Sequence, residues 1–136
     1  MAKLNVALVT PERQVARVEV DMVTAPSVMG EVGILPDHQP LLANLQPGVV
    51  LLQAGNKTER YAVSGGVLEV DRNTVTILAE TAEHASEIDE GRANDALKDA
   101  SGQLEKLDSQ DPKFEEQVAR IHRAQIRLAV LGKSKN

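Results

Sequence analysis

Glu83, Asp89 and Arg92 fall within ten residues of one another, and Arg120, Arg123 and Arg127 recur at three- and four-residue spacing near the end of the chain. Guanidinium forks bind phosphate or carboxylate through paired hydrogen bonds, and carboxylates beside them can accept from a ribose hydroxyl or a base amine. Spacing of three and four puts the last three arginines on one face if that segment is helical. No acidic residue follows Glu116 to neutralise that face. A solvated run is the plainer reading of such arginines. The alternative is an anionic ligand or an acidic protein surface. If the two ends of this region pair antiparallel, Arg92, Arg123 and Arg127 converge on a polyphosphate, with Glu83 or Asp89 left to accept from the sugar or base.

Other chemistry is poorly supported. His38, His84 and His122 are far apart, with no spacing that suits a metal, and there is no Cys. Ser64-Gly65-Gly66 lacks the flanks of a nucleophile elbow, and no glycine-rich loop ends in Gly-Lys-Ser or Gly-Lys-Thr. No catalytic residue and no metal ligand is expected. Aromatic residues are 1% of the chain and the net charge is −5, so nucleic-acid binding is not expected. No apolar run approaches the ~20 residues of a membrane helix, and Met1-Ala2-Lys3 does not lead into a signal-peptide core. Direct membrane insertion is therefore not expected.

The elements that must position these groups change character at residues 80–93. Before that stretch, Leu4, Val6 and Leu8 alternate, as do Ala16, Val18, Val20 and Met22. Turn signals at Thr10-Pro11-Glu12-Arg13, Gln46-Pro47-Gly48, Ala54-Gly55-Asn56-Lys57 and Asp71-Arg72-Asn73 separate short β-branched runs. This pattern predicts an antiparallel β-sandwich or flattened barrel over residues 1–86. From Asp89, Ala93, Leu97, Ala100, Leu104 and Leu107 follow one helical stripe, and Phe114, Val118, Ile121, Gln125 and Leu128 follow a second. Asp111 and Pro112 predict the N-cap and first position of that second helix. Residues 87–136 thus read as an antiparallel two-helix hairpin, and the chain as α+β. Residues 87–116 carry four basic against ten acidic residues and residues 117–136 five basic and none acidic, so the two helices should attract. Gly91, Gly102 and a half-alanine stripe make the first helix weak. It reads either as an ordinary appendage or as an element able to leave its dock.

Residues 30–42 combine two Gly and two Pro with apolar Val32, Ile34, Leu35, Leu41 and Leu42. They read as a buried loop crossing between sheets, or as an exposed apolar loop with Glu31 and His38 at its tip, made for a protein partner.

Three runs carry a family resemblance. Gly30-Glu31-Val32-Gly33-Ile34-Leu35-Pro36-Asp37-His38-Gln39-Pro40-Leu41 resembles the G-x-x-G-I-x-P-x-H-x-P-L signature of the epsilon subunit of F-type ATP synthase, the delta subunit of the mitochondrial enzyme. Ser64-Gly65-Gly66-Val67-Leu68-Glu69-Val70 resembles that family's S-G-G-x-x-E-V strand pair, and Ile88-Asp89-Glu90-Gly91-Arg92-Ala93 resembles its I/L-D-x-x-R-A motif. The resemblance implies a β-sandwich of about ten strands, packed against the gamma subunit and the ring of c subunits through Glu31, Val32, Ile34, His38, Leu41 and Leu42. It implies a non-catalytic rotor subunit that couples proton flow through the ring to ATP synthesis, on the cytoplasmic face of a bacterial inner membrane. The hairpin is implied to brake hydrolysis when extended, with Arg120, Arg123 and Arg127 meeting the alpha/beta catalytic head. The resemblance implies no required cofactor. ATP is the implied regulatory ligand of the folded hairpin, held by Glu83, Ile88, Asp89, Arg92, Ala93, Arg123 and Arg127. Tight binders carry further arginines late in the first helix, where this chain has Lys98, Gln103 and Lys106. A free-standing ATP-binding sensor is the alternative, distinguished by strong ATP binding without a stable partner.

Overall fold

The computed structural model describes residues 2–132, so residues 133–136 of the expected helical range lie outside the described residues. Ten strands precede two helices: β1 (Leu4–Val9), β2 (Gln14–Val20), β3 (Met22–Ser27), β4 (Gly30–Ile34), β5 (Leu41–Leu45), β6 (Gly48–Ala54), β7 (Lys57–Val63), β8 (Gly66–Asp71), β9 (Thr74–Ala79), β10 (Ala82–His84), α1 (Glu90–Glu105) and α2 (Phe114–Val130). One compact unit ends at His84 and a second begins at Ala85.

The strands form one sheet in the order β10-β7-β6-β3-β5-β8-β9-β1-β2, with β4 paired to β3 off that path. Leu4, Leu8, Ile34, Leu52, Leu68 and Ile77 are among its fully buried side chains. With 1% aromatic residues, this unit is held by interdigitated aliphatics, each contributing roughly 1.5–3 kcal/mol on burial. Two-residue turns fix much of the register. Arg72 and Asn73 both have positive φ between the paired Asp71 and Thr74, the primed turn that suits the twist of a hairpin. Gly66 is held at φ +145°, and a Cβ there would meet the Leu78 carbonyl oxygen at 2.0 Å, so the β8–β9 crossing requires glycine.

Within the β unit the details depart from the sequence reading in three places. Met22 does not continue β2. The chain turns a corner at Asp21, whose amide donates to the Gln53 carbonyl at 2.7 Å and whose Oδ2 accepts from the Gly55 amide at 2.7 Å. Lys3 also pairs with Asp21, so the polar side chain anchors a change of partner from β1 to β6. Secondly, β1 runs parallel to β9, the one parallel pairing among the described residues. The intervening strands supply the long crossover that a parallel pair needs. Thirdly, residues 30–42 are not one loop but β4, a turn and the start of β5. Pro26 lies in β3 at the point where its pairing passes from β6 to β5, so its missing N–H interrupts neither ladder.

In the second unit, α1 and α2 pack against one another. Ala93, Ala100, Ala124, Leu128 and Val130 are buried. The stripe of α2 includes Gln117 and Ala124 in place of the expected Val118 and Gln125, which are exposed. Alanines on both helices allow a close approach that a Val–Gln seam would not. α2 also begins at Phe114, not Pro112, with Lys113 as its N-cap residue. Asp111 closes the preceding turn, its Oδ1 accepting from the Lys113 amide at 2.8 Å.

Candidate functional site

The β unit presents apolar side chains around residues 28–42. The β3–β4 hairpin pairs Ser27 with Gly30, which leaves Val28 and Met29 at the tip, and Met29 is 92% exposed. Leu35 is also exposed, and Leu42 is 73% exposed on the outer face of β5. Glu31 is exposed, while Val32, His38 and Leu41 are half-buried. Ile34 is fully buried in the core. Its side chain therefore leaves the expected contact surface, because strand alternation turns it inward between the outward positions 33 and 35. Val28 and Met29 were missed from sequence. Their signal was two apolar residues in a tight turn, where polar residues normally stand.

A second apolar row crosses the outer face of the sheet. Val67 of β8 pairs with Leu78 of β9, and Leu78 pairs with Val9 of β1, so the three side chains stand in line. Beside them lies a cleft of about 340 Å³ lined by Val9, Thr10, Pro11, Leu78, Ala79 and Glu80.

In the hairpin, Asp89 is the N-cap of α1, with extended φ/ψ and Oδ1 accepting from the Arg92 amide at 2.9 Å. One carboxylate oxygen thus serves the helix. Arg92 and Arg123 are exposed, Ile88 and Arg127 half-buried, and Ala93 buried. Glu83 lies in β10 and is half-buried. Arg120 is engaged within the hairpin: its Nη2 lies 3.1 Å from Asp99 Oδ2, and its Nη1 donates to Gln117 Oε1 at 2.9 Å. Because the helices are antiparallel, stepping seven residues back from Asp99 and seven forward from Arg120 reaches Arg92 and Arg127. Two arginines therefore share the end of the hairpin that holds the Asp89-capped N-terminus of α1, where the helix dipole is positive. The three arginines of α2 are not equivalent. Arg120 is half-buried and ion-paired, whereas Arg123 is exposed.

The last strand carries one further polar pair. His84 Nε2 lies 2.5 Å from Glu59 Oε1 across the β10–β7 ladder, and Lys57 Nζ lies 3.4 Å from Glu59 Oε2. The hydrogen bond from His84, helped by Lys57, holds the Glu59 carboxyl below the ordinary glutamate range. The Tyr61 ring meets His84 edge-on, with centroids 5.0 Å apart. Among the described residues no group of acidic or histidine side chains is arranged to hold a metal ion, and no helix is long and apolar enough to cross a membrane.

Residues 3–85 match the family described as the ATP synthase delta/epsilon chain beta-sandwich domain. The ATP synthase epsilon chain of Herpetosiphon aurantiacus is 46% identical over 133 residues, covering 98% of this chain and 97% of its own. That of Anaeromyxobacter sp. strain K is 43% identical over 130 residues, covering 96% and 98%. Among solved structures, a chain of the Euglena gracilis mitochondrial ATP synthase, determined as OSCP/F1/c-ring, superposes with a TM-score of 0.72 at 24% identity, covering 98% of this chain and 79% of that one. A chain of the Tetrahymena thermophila mitochondrial ATP synthase central stalk and c-ring superposes with a TM-score of 0.59 at 20% identity, covering 98% of each. These two likenesses show a shared fold.

Proposed function

The chain belongs to the delta/epsilon family of ATP synthase subunits, and from that premise we propose that it is a non-catalytic rotor subunit of the central stalk. In this role it binds the gamma subunit and the c-subunit ring and couples proton flow through the ring to ATP synthesis. The observation that carries the reading is the exposure of Val28 and Met29 at the β3–β4 tip and of Leu35 and Leu42, toward the other end of β4 and on β5, with Glu31 and His38 on the same segment of an aliphatic β unit. The outer row Val9, Leu78 and Val67 supports a second contact with the same rotor. The subunit sits peripherally at the cytoplasmic face of a bacterial inner membrane, held there by partners.

The hairpin is the regulatory part. Its first helix rests on two buried alanines and carries two glycines, so it is lightly held. Released and extended, it enters the alpha/beta catalytic head and brakes hydrolysis through its basic second helix. Arg123 is the exposed arginine available to an acidic surface, while Arg120 has first to leave Asp99. ATP is the regulatory ligand that favours the folded hairpin, drawn by Arg92, Arg123, Arg127 and the N-terminus of α1. The partner test is retention of purified gamma by the immobilised chain. Retention that weakens on Met29→Asp and Leu42→Asp supports the reading, and no retention by the unaltered chain sinks it.

A further inference from the structure

We propose that Asn73, on the turn between β8 and β9, is a positioning residue that sets how residues 35–40 present His38 to the rotor. The inference rests on the reading that this region meets the rotor. Among the described residues, Asp37, Arg72 and Asn73 are the non-glycine positions with positive φ, at 68°, 52° and 62°. Left-handed backbone is rarely adopted by side-chain-bearing residues, and Asn and Asp tolerate it best. Asp37 and Asn73 are bonded to each other. The Asp37 amide donates to Asn73 Oδ1 at 2.6 Å, and Asn73 Nδ2 donates back to Asp37 Oδ1 at 3.3 Å. The clasp joins segments 36 residues apart.

One side of the clasp is rigid. Arg72 and Asn73 form a two-residue turn between the paired Asp71 and Thr74, flanked by the buried Val70 and Val75. The Asn73 carbonyl also accepts from the Asn5 amide at 2.8 Å, which ties the turn to β1. The other side has few bonds of its own. Pro36 and Pro40 supply no amide donor to residues 35–40. The His38 amide closes back on the Leu35 carbonyl at 3.2 Å, and His38 Nδ1 lies 2.6 Å from the Gln39 carbonyl oxygen. Both of those contacts are local, so they shape the turn without fixing its direction against the sheet. The Asp37–Asn73 bond is the link from the sheet core to the residue beside His38.

Asn73→Gly separates positioning from stability, because glycine keeps positive φ and the turn while removing the amide. The chain is added back to membranes that carry the c-ring and gamma but lack this subunit, and its dissociation constant is measured. Asn73→Gly should lower the thermal midpoint by no more than a few degrees and speed exchange of the Asp37 amide. It should weaken binding by about fivefold, the factor that one hydrogen bond of ordinary net strength represents. Asn73→Asp should weaken binding by setting two carboxylates against each other, and Asp37→Asn added to it should restore binding by reversing the donor and acceptor. Unchanged binding for Asn73→Gly and Asn73→Asp, with binding still lost on Glu31→Ala and His38→Ala, overturns the positioning role and leaves the rotor contact standing. Unchanged binding for all four variants overturns the rotor contact and the positioning role together.

Discussion

Asp89→Ala should open the first turn of α1 without disturbing the β unit. Asp89 has the extended backbone of an N-cap, and its Oδ1 takes the Arg92 amide at 2.9 Å, satisfying a donor that the helix cannot satisfy itself. Loss of such a cap costs about 1 kcal/mol, which is roughly a fivefold rise in the opened population. α1 has little reserve against that cost: Ala93 and Ala100 are its buried residues, and Gly91 and Gly102 each forgo up to ~1 kcal/mol relative to alanine. Amide exchange followed by NMR is the assay. The Arg92 and Ala93 amides should exchange about fivefold faster in Asp89→Ala, while those of Val70 and Val75 keep their rates. Asp89→Asn retains a side-chain oxygen acceptor and should stay near the unaltered rates. It also removes the charge, so calorimetric titration of that variant with ATP separates a ligand role of Asp89 from its capping role. Unchanged Arg92 exchange in Asp89→Ala, or equal acceleration at Val75, would overturn this prediction. The first result would mean that the cap does not hold the turn, and the second that the units do not open separately.

Three further outcomes are expected. Gly66→Ala places a Cβ 2.0 Å from the Leu78 oxygen at φ +145°, so it should destabilise the β unit by at least about 2 kcal/mol, read as a lower urea midpoint. Ile34→Ala should cost about 2–5 kcal/mol because the side chain is fully buried, whereas Met29→Ala should stay within about 0.5 kcal/mol while weakening retention of gamma. Glu59 has a depressed folded pKa through His84 and then Lys57, so its contribution is present above the unfolded value of about 4.3 and lost as pH falls through the folded one. Protection of the His84 amide, measured relative to its intrinsic exchange rate, should therefore fall across that acid range in the unaltered chain, and Glu59→Gln should flatten the dependence.

The β class and the helical hairpin were legible because aliphatic alternation and paired turn residues act locally, whereas the count of about ten strands came from the family resemblance. Asp71-Arg72-Asn73, for example, specifies its hairpin within four residues. What escaped depended on partners distant in sequence. Val18 alternates correctly with Val20, yet β2 closes one end of the strand order, and Val18 is left exposed. Asp21 was read inside a strand because its corner role needs Gln53 and Gly55. Ile34 was placed on a contact surface because a loop reading gives no inward direction, whereas the β4 ladder does. In the hairpin, the 4-3-4-3 count chose Val118 and Gln125, but close packing of alanines turned the stripe to Gln117 and Ala124. The arginines of α2 looked equivalent in the sequence, and the Asp99 partner of Arg120 is what separates them.

In the proposed function a self-contained β unit holds the rotor while the hairpin regulates it. The most direct test is the ATP hydrolysis rate of the assembled complex with the chain ending after Ser86, compared with the full chain. The β unit has its own core, so the shortened chain should fold, remain bound to gamma and raise the hydrolysis rate. A rate equal to that of the full-chain complex, with the shortened chain still bound, would contradict the regulatory role of the hairpin.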